Sequence, residues 1–154
     1  MTGKEYLQEL YQTEKKIKSV RNDIRRLEEA AGMSGSSLTG MPHAPSAEKS
    51  RLEAVAIKIA EKKKELRTLE LIYREMREER ALLLVEIEDE DFKTVLEKRY
   101  LKGQDWQDII RDMHYSRRWI FELHDLAIEA FEAVLEKENK KSALECTRMH
   151  PKST

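Results

Sequence analysis

The chain is poor in residues that turn a backbone sharply or tie it covalently, with one cysteine, three prolines and five glycines among 154 residues. The single thiol, Cys146, excludes an internal disulfide and fits a reducing compartment, leaving only an intermolecular bridge open. Scarce glycine and proline leave little turn chemistry for a sheet of many strands. Long apolar stretches are also missing. The longest, residues 81–85, is far short of the roughly 20 residues that span a bilayer. Residues 1–10 are charged and polar where a secretory signal needs an apolar core, so a cytoplasmic protein with no membrane partner is expected. The four histidines, His43, His114, His124 and His150, include no pair three or four apart, so no metal-ligand spacing is present. Nor is there a phosphate-binding glycine loop, a nucleophile elbow or a zinc-protease motif. No enzyme, cofactor or small-molecule substrate is expected.

Leu, Ile, Glu, Lys and Arg fill the chain instead, and 38% of it is charged. That is the composition of long helices with charged outer faces, and an all-α fold follows. Tyr6, Leu10, Thr13, Ile17, Val20, Ile24, Leu27 and Ala31 alternate at spacings of four and three, a heptad seam that predicts one helix over about residues 4–31. Gly, Ser and Pro then mark a loop over 32–46. A second seam, through Leu52, Val55, Ile59, Lys62, Leu66, Leu69, Tyr73, Met76, Arg80, Leu83 and Ile87, predicts a helix over about 47–88, with Ser46 as a candidate N-cap. Leu10, Ile17, Ile24, Leu66, Leu69 and Tyr73 are the expected packing residues of these helices, which either fold back as a hairpin or pair with a second copy. Lys62 and Arg80 interrupt the seam, and their long stems are expected to carry the charge outward.

Residues 89–138 carry a different pattern. Glu88, Asp89, Glu90 and Asp91 place negative charge at a helix start, ahead of Phe92, Val95, Leu96 and Tyr100 at helical spacing, and Gly103 ends that element. A short helix over 105–113 follows, with Trp106, Ile109, Ile110 and Met113 on one face. His114, Tyr115 and Ser116 form a three-residue turn, and Ser116 caps a long helix. A short helix, a tight turn and a helix opening Ser-Arg-Arg are the pattern of a helix-turn-helix. The apolar arc of the long helix, through Phe121, Ile128 and Leu135, is roughly 220° wide, more than one small domain needs. Part of it is expected to pack on the long helices or on a second copy, giving a homodimer. The tail, 139–154, is basic and without periodicity, and is expected to be disordered.

Residues 95–109, with Arg99-Tyr100, Gly103 and Trp106, continue into Tyr115-Ser116-Arg117-Arg118-Trp119-Ile120 and Leu123-His124. This stretch resembles the C-terminal domain of phage transcriptional regulators of the RinA and ArpU kind, itself similar to region four of bacterial sigma factors. The resemblance implies control of phage genes, with promoter DNA as the main partner and RNA polymerase as a possible second. Two positions depart from the pattern: Ile110 stands where such folds usually carry a small residue, and His114 where the turn often has glycine.

Independently of the resemblance, Arg117 and Arg118 at a helix start have the chemistry to bridge phosphates or guanine, and Glu122, one turn on, can accept from cytosine. Ser116 would sit near a phosphate, while Gln104 and Gln107 would hold the backbone of double-stranded DNA. The competing reading of the Arg pair is a plain solvated face. It has weight because 89–138 hold eight Lys and Arg against thirteen Asp and Glu, and attraction to phosphate comes from cations. The leading expectation is a sequence-specific transcriptional regulator. The alternatives are an oligomeric DNA-packaging recognition subunit of a phage, and a protein-binding module acting on RNA polymerase or a host-defence nuclease.

Overall fold

The computed structural model describes the backbone of residues 1–36 and 45–149 and the side chains of 1–32 and 47–148. Among the described residues there is no strand, and the all-α expectation holds. The elements are α1 (Gly3–Ser36), α2 (Pro45–Val85), α3 (Glu90–Leu96), a π-helical turn (Glu97–Leu101) that continues α3, α4 (Trp106–Met113) and α5 (Arg117–Met149).

Local chemistry sets most of these ends. Thr2 Oγ1 accepts from the Glu5 amide at 3.2 Å while the Thr2 amide donates to Glu5 Oε2 at 3.0 Å, a reciprocal capping box that starts α1. Both edges of the expected 32–46 loop are helical, and its centre, 37–44, lies outside the described residues. α1 runs on through Gly32, since one glycine lowers helix propensity by only about 1 kcal/mol. α2 begins at Pro45, whose fixed φ and missing N–H suit a first helical position, so Ser46 lies inside the helix and is not its cap. The tail is corrected as far as it is described: α5 continues to Met149, and 150–154 lie outside the described residues. Residues 136–148 contain no glycine or proline, Glu, Lys and Ala favour the helix, and Arg148 complements its C-terminal dipole.

The chain divides into two compact units. In the unit Thr13–Arg74, Ile17, Val20 and Ile24 are buried on α1, and Val55, Ile59, Leu66, Leu69 and Tyr73 are half-buried on α2. Ion pairs link Arg21 to Glu70 at 2.8 Å, Asp23 to Lys62 at 3.8 Å and Glu28 to Lys63 at 3.3 Å. Glu28 lies seven residues after Arg21 on α1 while its partner Lys63 lies seven before Glu70 on α2, so the two stretches run antiparallel.

The other unit combines Met1–Gln12 with the described residues from Glu75 onward. This cuts across the expected boundary at residue 88, because Leu7 from α1 and Leu84 from α2 are fully buried in one core with Ile109, Ile120 and Phe131. Leu10 is fully buried too, Ile128 faces inward, and Phe121 and Leu135 are half-buried. Arg80 departs most from expectation: it does not reach outward but is 3% exposed. Its Nε donates to the Tyr6 carbonyl at 3.2 Å, its Nη2 to Glu9 at 3.1 Å, and its guanidinium lies 3.7 Å from the centre of the Tyr6 ring. These partners satisfy a charge that an apolar interior would otherwise reject.

Arg80→Ala is expected to lower unfolding stability by about 2–3 kcal/mol, since it removes the buried stem together with the guanidinium's contacts to Glu9 and the Tyr6 ring. Glu9→Gln, at a half-exposed partner, is expected to lower it by less than about 1 kcal/mol. Urea denaturation of the two variants measures the difference, and equal small losses would contradict a structural role for the guanidinium.

Candidate nucleic-acid interface

α4 is started by Asp105, whose carboxylate accepts from the Asp108 amide at 2.9 Å, and ended by His114. His114 adopts a left-handed conformation, φ 58 and ψ 30, and its amide donates to the Ile110 carbonyl at 3.1 Å. That conformation is the one glycine adopts freely at a helix C-terminus, so the turn keeps its form with a histidine in place. Ser116 caps α5 as expected, its Oγ accepting from the Trp119 amide at 3.2 Å.

Aromatic packing fixes α4 on α5. The Trp106 ring lies 4.9 Å from that of Phe121 and meets His124 edge-on at 5.0 Å. The Arg99 guanidinium sits 4.6 Å from Trp106 and 4.8 Å from Tyr11, so this cation is spent on structure. The next residue of the π-turn, Tyr100, is buried, and its hydroxyl lies 2.8 Å from His124 Nε2. Burial pushes the phenol up to about 12 and the imidazole below its usual 6.5, although Asp125 opposes the latter shift. Asp125 lies 3.8 Å from Nδ1, which favours the proton there and leaves Nε2 to accept from Tyr100.

The expected contact residues occupy unequal places. Arg118 is 91% exposed on its side chain, with Nε 3.4 Å from Glu122, itself half-exposed. Arg117 is exposed but lies over the Phe121 ring at 5.6 Å, the ring that packs on Trp106 of α4. Ser116 and Gln107 are exposed. Gln104 is half-buried, with Oε1 enclosed and without a hydrogen-bond partner, so it belongs to the packing of the α4 start more than to an outer surface.

Sequence reading missed two features of this edge. Tyr115 and Trp119 form an exposed edge-to-face pair, 6.4 Å between centres. The Tyr115 hydroxyl donates to Asp91 at 2.9 Å, which raises the phenol's pKa and sets the acidic start of α3 beside the turn. Their separation of 24 residues leaves no local signal of that contact.

Among the described residues no cluster of three or more His, Cys, Asp or Glu is placed to hold a metal, and no helix is long and apolar enough to cross a membrane. No family model matches the chain, and no curated protein or solved structure matches it.

Two outcomes follow from this geometry. The folded pKa of His124 is lowered, so the stability it contributes is complete above the unfolded value of 6.5 and is lost as pH falls from there towards the folded value. Urea unfolding at pH 7.5 and 5.5 is expected to show a drop that His124→Gln reduces, and an unchanged drop would contradict the buried neutral imidazole. His114→Gly is expected to stabilise the fold by about 0.5–1 kcal/mol by removing left-handed strain, read as a raised melting temperature. A fall would contradict the strain.

Proposed function

We propose that the chain is a sequence-specific DNA-binding regulator of phage genes, acting in the bacterial cytoplasm, that reads duplex DNA with the first turns of α5. The observation that carries this reading is Arg118, 91% exposed and next to Arg117 at the start of a helix that follows a short helix and a three-residue turn. Its pairing with Glu122 is a surface contact of small net worth, which a phosphate or a guanine edge can replace. Arg117, held over Phe121, suits a backbone contact that fixes register, and Ser116 and Gln107 lie exposed on the same two elements. The resemblance of residues 95–124 to the RinA and ArpU kind supports the same reading and adds RNA polymerase as a second partner.

A protein-binding role at the same edge is the second reading. It is favoured by the Tyr115–Asp91 hydrogen bond, which places carboxylates beside the turn, and by the exposed Trp119. Such a mixture of acid and aromatic surface repels phosphate and suits a basic protein partner.

The reading is tested by mixing the purified chain with sheared DNA of its source genome at near-physiological salt and sequencing what it retains. One or a few intergenic sites are expected to be enriched, and an Arg117→Ala, Arg118→Ala variant of unchanged helicity is expected to lose them. No enrichment by the folded wild type would overturn DNA reading and leave the protein-binding role.

A further inference from the structure

We infer that two copies of the chain pair antiparallel through the outer face of α5, a surface separate from its N-terminal turns. This does not rest on the DNA reading. Phe121, Ile128 and Leu135, expected to pack either within the chain or on a second copy, are at least half-buried within their own unit. The residues left outside are others. Leu126 is 43% exposed and Leu144 66%, and Ala133 is exposed between them. Positions 126, 133 and 140, interleaved with 130, 137 and 144, make a heptad line. Beyond Glu138, α5 stays helical to Met149 although every residue from 139 to 148 is exposed, so this length lacks the tertiary packing that sustains most helices.

Charge selects the occupant and its direction. Beyond its first turns the outer face carries Glu129, and then a second half in which Lys137, Lys140, Lys141 and Arg148 outweigh Glu136 and Glu145. Two parallel copies would set like charge against like. Two antiparallel copies set acid against base, twice by symmetry. Centring the two-fold beside residue 135 places Leu126 opposite Leu144 of the second copy and Glu129 opposite its Lys140. The same register brings the small Ala133 to the crossing, where the two helices approach most closely. A seam of one helix per copy, with lysine in two of its layers, is smaller and more polar than a permanent interface, and the dimer therefore dissociates in the micromolar range.

Sedimentation equilibrium of the full chain across the micromolar range tests the pairing, with circular dichroism to confirm that each variant folds. The wild type is expected to shift from monomer to dimer, and Leu126→Asp, at a position already open to solvent, to weaken the dimer by about tenfold or more. Glu129→Lys and Lys140→Glu are each expected to weaken it, and the two together to restore it, because the swapped pair is again of opposite sign. A wild type that stays monomeric, a dimer indifferent to Leu126→Asp, or a double variant no better than its parents would overturn the proposal.

Discussion

A guanidinium enclosed in an apolar interior has to be matched, and Arg80 meets that demand by drawing the first residues of α1 against the last turns of α2. Tyr6 gives it a carbonyl and a ring face, and Glu9 gives a carboxylate. With those residues in place, Leu7 and Leu84 fill the core that the inner face of α5 covers. The start of α1 is held to α5 directly as well, since the Gly3 amide donates to Glu132 at 3.2 Å and a Cβ at position 3 would lie 2.5 Å from the Glu132 Cγ. What presents the α4 turn and the start of α5 is therefore not a small domain standing alone. The two ends of the long helices are part of it.

Periodicity made the long helices legible, because a seam repeated over many turns outweighs local exceptions. Ile17 and Ile24 are buried where the heptad placed them, and Asp89 and Ser116 cap helices where polar residues precede apolar ones. Charge was misread where its partners were remote in sequence. Arg80 was assigned an outward path because nothing adjacent announces Tyr6 and Glu9, more than 70 residues away. The limits of helices were misread where composition stood in for propensity. Gly32 did not stop α1, and the basic run after Asn139 was assigned to disorder although its residues are sound helix formers. The proposed contact edge was visible as Ser-Arg-Arg, but the Tyr115–Asp91 contact was not, since it depends on how α3 meets the turn.

Within its unit α5 has three separate environments along and around one helix. Its inner face is core, its first turns carry exposed arginines, and its outer face passes from Glu129 to a second half that is net basic. The acidity around the turn sets the terms for any nucleic acid. Asp91 lies beside the turn and Glu122 beside Arg118, so few phosphates could be neutralised at once, and any affinity would have to come from base contacts, from a second copy, or from a protein partner. A weak, reversible pairing of α5 helices would supply a second reading edge without enlarging the basic surface of either copy.

The most direct measurement is amide hydrogen exchange of the folded chain with and without a duplex fragment recovered from its source genome. DNA reading by the first turns of α5 predicts protection concentrated at the start of α4, through the turn 114–116 and into residues 117–122. Protection confined to the Thr13–Arg74 unit or to the distal half of α5, with the turn unchanged, would contradict it.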